Sequence, residues 1–344
     1  MLSPIKPLKI SVVDQSPVHG TREAHQAPTD SIELAKHCDT LGYARYWLAE
    51  HHNSGQFAGP CPEILIACIA AVTKNMRIGS GGVMLSHYSP YKVAEIFRML
   101  ETLYPGRIDL GIGRAPGGNQ VSTAALAVPY ATKQSMRGDF FADQATDLVD
   151  YLRGTVGSKH PFSSLTQLPD DSFIPELWML GSGGGSSSLA GALGMGLAVA
   201  RFIAPDHCSP SIFENHKAYF QQAGYEHEPL RMLAIAAVCA ETEEEAKLLA
   251  GTSAHRKTMV MLGHDIPLFS PGQVVDAYKK MGQQEKSIYD HTLDRMTYGT
   301  PDQCAEEING LASTFGVNEI GLVTVTHSFE QRKESYRLIA NQLC

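Results

Sequence analysis

Apolar runs and helical patterns alternate along nearly the whole chain. The apolar runs predict eight buried strands, at residues 9–13, 44–49, 77–85, 107–113, 177–181, 197–202, 230–240 and 319–325. Helical spacing and capping residues predict helices at residues 31–41, 62–74, 90–104, 135–152, 186–193, 209–223, 301–315 and 329–343. In the third of these helices, Val93, Phe97 and Leu100 fall on one face, as expected of a helix packed on a sheet.

This alternation predicts the fold class. Eight strands, each followed by a helix, imply a parallel sheet closed as a (β/α)8 TIM barrel. The alternative is an open doubly wound sheet, which would need a glycine-rich fingerprint after the first strand, and residues 14–17 (DQSP) are not one. Such barrels take about 250 residues. We therefore expect one domain over residues 1–344, with insertions at about 154–175 and 241–298.

Charge and composition exclude several classes of protein. The net charge of −8 argues against a surface for nucleic acid or for an anionic membrane. The N-terminus lacks a signal-peptide core, and no apolar run is long enough to span a bilayer. The seven cysteines are scattered and include no Cys-x-x-Cys pair. We expect a reduced, cytoplasmic protein without a disulfide framework or a zinc ribbon.

Candidate chemistry begins where the second predicted strand ends. Glu50, His51 and His52 follow that strand directly, and titratable residues in this position are typical of the active-site rim of an α/β enzyme. A zinc site would favour His-x-His, which turns both rings to one side of a strand. His51 and His52 are adjacent and point apart if the strand continues, and His87 is the only obvious third ligand. The spacing therefore favours no metal site.

A glycine- and serine-rich loop follows the fifth predicted strand. Residues 180–188 (LGSGGGSSS) lead into a helix, where backbone N–H groups, hydroxyls and the helix dipole attract an anion. A flexible linker is the alternative, but a linker is not expected between a buried strand and a helix. Arg114 comes directly after the fourth strand and could reach the same anion; otherwise it is a surface residue in a turn. The two features predict a phosphate site.

Four blocks of sequence carry a specific resemblance. Residues 47–52 (WLAEHH), 77–85 (RIGSGGVML), 89–95 (SPYKVAE) and 104–118 (YPGRIDLGIGRAPGG) resemble, in order and spacing, the bacterial luciferase-like flavin monooxygenases. Residues 86–90 (SHYSP) and the RAPG block are most similar to the single-component, non-bioluminescent branch. The resemblance implies a barrel that binds FMN at its C-terminal face. It also implies that a separate reductase supplies FMNH₂, and that a flavin C4a-peroxide oxygenates an aldehyde or similar small-molecule substrate.

The resemblance also implies roles for individual residues. His51 matches the first histidine of the family's Glu-His-His block and is the leading acid/base candidate, with His52 and His87 as further catalytic candidates. The pair Gly81-Gly82 matches a non-proline cis peptide beneath the flavin. The implied cofactor-binding residues are Gly81, Gly82, Gly113, Arg114, Ser182, Gly183, Gly184, Ser186, Ser187 and Phe202. Gly113 stands where luciferase has a reactive cysteine, and Ser182 stands where it has a glutamate. These two differences put light emission in doubt.

Three functions stay open at this point: an FMN-dependent monooxygenase, an oxidoreductase that transfers hydride with deazaflavin F420, and a non-catalytic flavin-binding relative. The family also pairs through the helices at 62–74 and 90–104, so we expect a homodimer. The supporting apolar positions are Ile64, Leu65, Ile69, Val93, Ile96 and Phe97, although these helices could simply bury one face on the barrel. The polar segment 263–298 is expected to be the most mobile part and to act as a lid.

Overall fold

The computed structural model of the protein describes residues 7–126, 140–165 and 173–344. The strands within these ranges are β1 Lys9–Asp14, β2 Arg45–Leu48, β3 Arg77–Met84, β4 Ile108–Gly113, β5 Glu176–Gly181, β6 Gly196–Ala200, β7 Arg231–Cys239, β8 Thr297–Gly299 and β9 Glu319–Val323. The helices are α1 Ala27–Thr40, α2 Pro62–Val72, α3 Pro90–Leu103, α4 Gln120–Leu126, α5 Phe141–Arg153, α6 Ser187–Ala192, α7 Ser211–Gln222, α8 Glu243–Met261, α9 Pro271–Lys280, α10 Gln283–Asp294, α11 Pro301–Phe315 and α12 Phe329–Leu343.

Eight of these strands close into a barrel. Strands β1 to β7 pair in sequence order, and β9 closes the ring by pairing with both β7 and β1. Every pairing is parallel. The predicted (β/α)8 barrel is therefore confirmed, and the doubly wound alternative is wrong. The short strand β8 is an addition that pairs with the last three residues of β7, from Ala237 to Cys239.

The N-terminal end of the barrel is filled by charged side chains. Arg45, at the start of β2, bonds Asp109 of β4 and Glu319 of β9, each at 2.8 Å. The Trp47 indole N–H donates to Asp109 as well, and packs edge to face on Trp178 with ring centroids 5.0 Å apart. Buried charges are tolerated when each is paired in this way. This end is thereby closed, so ligand sites are expected at the opposite, C-terminal face.

The predicted insertion at 241–298 forms helices α8, α9 and α10. Apolar side chains of all three pack together, among them Leu249, Val274 and Tyr289. Helix α9 begins with a capping box in which Ser270 and Gln273 bond each other's backbone N–H. The polar stretch around residue 282 is the start of α10, which packs on α8 through a few apolar residues such as Leu293.

Other boundaries differ from the prediction. Helix α5 begins at Phe141, whereas the predicted helix began at residue 135, which lies outside the described residues. Helix α4 was not predicted, and part of the predicted insertion at 154–175, residues 166–172, also lies outside the described ranges. No helix within those ranges has the length and apolar character that crossing a membrane requires.

The two helices expected to form a dimer interface bury much of their apolar surface on the barrel itself. The predicted interface residues Leu65, Ile69, Val93 and Phe97 are buried within the protomer, so that part of the argument is wrong. The predicted residue Ile64 is exposed and Ile96 is partly buried. Three further apolar residues of α2 and α3 are exposed as well: Val72, Met99 and Leu103.

Candidate active site

Glu50 organises the rim of the barrel where β2 ends. Its carboxylate is 1% exposed and accepts three hydrogen bonds. One oxygen accepts from His52 Nε2 at 2.6 Å and from the Tyr88 hydroxyl at 2.8 Å, and the other accepts from the Met84 backbone N–H at 2.9 Å. Because an ionised carboxylate only accepts, Nε2 of His52 carries a proton. Glu50 therefore fixes the tautomer and orientation of His52 and ties β2 to the end of β3.

His51 turns to the other side, as the adjacent positions predicted. Its ring stacks on Phe57 with centroids 4.6 Å apart and an interplanar angle of 31°. Nδ1 is buried and meets no hydrogen-bonding group of the described part of the chain. Burial, and then the neighbouring His52, lower the pKa of His51 from 6.5 to about 4. At neutral pH the imidazole is uncharged, and its chemistry is that of a proton acceptor.

His87 lies beside His52 but not beside His51. Its Nε2 donates to the carbonyl of Pro116 at 2.8 Å, and its ring packs edge to face on His52 at 5.8 Å. The structure therefore brings His52 and His87 together and holds both through defined hydrogen bonds. Across residues 7–126, 140–165 and 173–344, no three His, Cys, Asp or Glu side chains lie close enough together to hold a metal ion.

The predicted cis peptide bond between Gly81 and Gly82 is confirmed. The register between β3 and β4 shifts at this place, from Gly81 opposite Gly111 to Val83 opposite Ile112. A Cβ on Gly82 would lie 2.7 Å from the carbonyl oxygen of Gly111, and one on Gly81 would lie 3.0 Å from the Cβ of Trp47. A side chain at Gly82 would therefore clash with β4, and one at Gly81 would press on Trp47 of β2.

A cavity of about 200 Å³ lies where the sequence predicts a phosphate site. Arg114, from the end of β4, faces Gly185 and Ser186, from the loop after β5, across this cavity. The Arg114 Nη2 atom lies 4.0 Å from the position that a Cβ on Gly185 would take. No atom lies within 4 Å of a Cβ added to Gly183, so this side of the loop is open. The structure thus assembles an arginine and a small-residue loop, as the sequence predicted.

The hydroxyl of Ser187 in this loop already has two hydrogen-bond partners within the protein. Ser187 is buried, and its hydroxyl donates to the Gly184 carbonyl and accepts from the Asn215 amide, both at 2.7 Å. The hydroxyl therefore supports the loop from within the protein, and a contact of Ser187 with a cofactor stays a prediction. Ser182 and Gly184 lie on the loop beside the cavity lining. Gly113 ends β4, where a Cβ would come within 3.1 Å of the Met84 side chain.

A second, larger cavity of about 520 Å³ opens on the other side of the barrel mouth. Ends of β1, β6, β7 and β9 and the C-terminal half of α8 form its wall, and the lining includes Gln15, Phe57, Phe202, Val323 and Arg256. Phe202 reaches it from the turn after β6, not from within a strand as predicted. Most of the lining is apolar, which is typical of a pocket for a small organic molecule.

Sequence reasoning missed several residues at these sites. Glu50 was noted at the strand end but not as the acceptor that holds His52. Phe57 and Arg256 lie in a loop and an insertion helix, where no sequence pattern indicates which way a side chain points. The only sequence feature that could have pointed to Tyr88 is its position within the SHYSP block.

Comparison with known proteins agrees with this geometry. The family described as luciferase-like monooxygenase matches residues 8–318. YwcH, an uncharacterised protein of Bacillus subtilis (strain 168), is 39% identical over 96% of this chain and 98% of its own length. N-acetyl-S-alkylcysteine monooxygenase of the same organism is 32% identical over 97% and 98%. The crystal structure of apo-MsnO8 superposes with a TM-score of 0.85 and 34% identity, covering 98% of this chain and 99% of the other.

The match to the family extends over most of the barrel and includes the blocks that hold Glu50, the Gly81-Gly82 pair and Arg114. The resemblance seen in the sequence is thereby confirmed. The chain belongs to the luciferase-like monooxygenase family and is a flavin-dependent oxidoreductase.

Proposed function

We propose that the protein is an FMN-dependent monooxygenase of a small organic substrate. The observation that supports FMN most directly is the cavity between Arg114 and the loop at Gly185 and Ser186. A guanidinium and several backbone N–H groups suit a terminal phosphate, which FMN carries and riboflavin lacks. Arg114 and the backbone of the loop after β5 would hold this phosphate.

Each part of the site has a role in this proposal. Reduced FMN, supplied by a separate reductase, provides the chemistry that activates oxygen, and a C4a-peroxide remains the expectation from the family resemblance. Neutral His51 accepts a proton from the reacting groups. Glu50 holds His52 and Tyr88 in place, and the large apolar cavity binds the substrate and excludes water.

The substrate is proposed to be an aldehyde or a similar small molecule. The relative named N-acetyl-S-alkylcysteine monooxygenase extends this range to alkyl thioethers. Both kinds of substrate place an apolar group beside the atom to be oxygenated, which suits the largely apolar lining of the large cavity.

The phosphate assignment is tested with Arg114→Ala. Loss of a charge-assisted hydrogen bond should weaken FMN binding by about 1.5–3 kcal/mol, and riboflavin binding should hardly change. Arg337→Ala, on the outer helix α12, serves as the matched control for loss of a surface arginine. Fluorescence titration measures both flavins, and equal losses for FMN and riboflavin would contradict the assignment.

Turnover separates the three functions. A monooxygenase consumes oxygen with FMNH₂ and incorporates one ¹⁸O atom from ¹⁸O₂ into product. An F420-dependent enzyme transfers hydride to or from F420 without oxygen, and a non-catalytic relative binds flavin and turns nothing over.

A homodimer through α2 and α3 is also proposed, together with a cytoplasmic location. Ile64 is 61% exposed and Leu103 is 59% exposed, although both are apolar. Exposed apolar residues on two neighbouring helices support a subunit interface there. Sedimentation should show a dimer at micromolar concentration, and Leu103→Glu should shift the protein toward the monomer while Lys92→Glu, an exposed residue of α3, should not.

A further inference from the structure

Arg256 is a buried cation on the wall of the large cavity. It lies on α8, is only 4% exposed and lines the cavity together with Phe57. The guanidinium lies over the Phe57 ring, 5.1 Å from its centroid. Among the described residues, none accepts a hydrogen bond from this guanidinium, and no carboxylate lies within 4.0 Å of it. A buried arginine that lacks such a partner is costly, so its presence calls for a partner that comes from outside.

The surrounding charges leave Arg256 available. Lys257 next to it donates to the backbone carbonyl of Phe202 at 2.6 Å. Asp206 at the cavity wall is already paired with Arg295 and His291, each at 2.8 Å. Asp265 is exposed and accepts from Gln56, and it attracts Arg256 only from a distance.

Burial also lowers the pKa of Arg256 to about 10, so the side chain is still charged at neutral pH. Arg256 therefore places a desolvated positive charge in the largely apolar surface of the cavity.

We propose that this cavity binds a substrate that carries a carboxylate and an apolar group, and that Arg256 pairs with the carboxylate. The proposal rests on the proposed function and adds a chemical class to it. The guanidinium offers two parallel N–H donors that match the two oxygens of a carboxylate. Phe57 contacts both Arg256 and His51, so a carboxylate bound at Arg256 would place the rest of the molecule near the rim that carries the histidines.

The test compares acids with alcohols of the same carbon skeleton. Hexanoate, octanoate and decanoate, and the corresponding alcohols, are titrated by calorimetry into the protein and into Arg256→Met, Arg256→Lys and Arg337→Met. In the wild type the acids should bind at least 10-fold more tightly than the alcohols. Arg256→Met should lose that preference, a fall of about 10- to 100-fold for the acids, and Arg256→Lys should keep part of it. Arg337→Met, on the exposed face of α12, should behave as the wild type.

Two further readouts separate this proposal from structural and cofactor roles. Removing a desolvated charge should raise the thermal midpoint of Arg256→Met without ligand, whereas a structural role predicts a lower midpoint. FMN binding should be unchanged in Arg256→Met, and a failure of FMN to bind the wild type would affect only the proposed function. Equal affinity for acids and alcohols in the wild type, or undiminished acid binding in Arg256→Met, would overturn the proposal.

Discussion

Replacing Glu50 by glutamine should destabilise the protein although the change removes no volume. The carboxylate meets two donors at one oxygen, from His52 and Tyr88, and one donor at the other, from the Met84 backbone. An amide has one oxygen and one NH₂ group. With the oxygen toward His52 and Tyr88, the NH₂ group faces the Met84 N–H, and two donors oppose each other. With the amide reversed, the NH₂ group faces the proton on His52 Nε2.

Either orientation loses at least one charge-assisted hydrogen bond, worth about 1.5–3 kcal/mol, and leaves a buried donor unsatisfied, at about 1–3 kcal/mol. Because the two terms overlap, we expect the free energy of unfolding to fall by about 2–4 kcal/mol in Glu50→Gln. Urea denaturation followed by circular dichroism measures this change.

The matched control is Glu95→Gln. Glu95 forms an exposed ion pair with Lys92 at 3.1 Å on α3, and such pairs contribute at most about 1 kcal/mol. The control should therefore stay close to the wild type. A Glu50→Gln protein within about 0.5 kcal/mol of the wild type would refute the reasoning, because the three hydrogen bonds would then carry no net stability.

Three further predictions concern the frame around the site. Burial lowers the pKa of His19 from 6.5 to about 4, so the unfolded chain binds a proton more readily than the folded one below pH 6.5. The free energy of unfolding should therefore fall by about 3 kcal/mol from this residue as the pH drops from above 6.5 to 4. In His19→Gln, denaturation measured at several pH values should show a weaker dependence on pH. Gly191→Ala should destabilise the protein by about 1–3 kcal/mol in thermal melts, because the new Cβ would lie 2.5 Å from the backbone of α7. Its control, Gly310→Ala on α11, adds a Cβ in open space and should stabilise the protein by about 0.4–1 kcal/mol. Asp14→Asn should cost about 3–5 kcal/mol in urea denaturation, because it leaves the buried Arg332 without its 2.7 Å ion pair.

The barrel and the meeting of Arg114 with the loop after β5 could be predicted, because the sequence signals for both are local. Each strand and helix has its own apolar pattern, and parallel strands end at one face of a barrel. Arg114 and the Gly183–Gly185 loop follow neighbouring strands β4 and β5, so their meeting follows from chain order alone.

Arg256 and strand β8 could not be predicted. Helix α8 is buried on several faces, between the barrel and helices α9 and α10, so its apolar pattern does not indicate which side faces the cavity. Strand β8 has only three residues, too few for an alternation of apolar and polar positions to be recognised. The hydrogen bond that engages the Ser187 hydroxyl could not be predicted either, since its partner Asn215 comes from α7 and is 28 residues away.

The pairing of β8 with β7 limits how the insertion can be exchanged. Strand β7 has nine residues; Leu233 to Ala236 pair with β9, and Ala237 to Cys239 pair with β8. One continuous strand is thus shared between the barrel ring and the end of the insertion, where the chain returns to the barrel. A loop graft with junctions at residues 241 and 298 would separate β8 from the strand that it pairs with. A chimera designed to change the large cavity therefore has to carry residues 231–299 as one unit, and its acceptor barrel has to accommodate a foreign seventh strand.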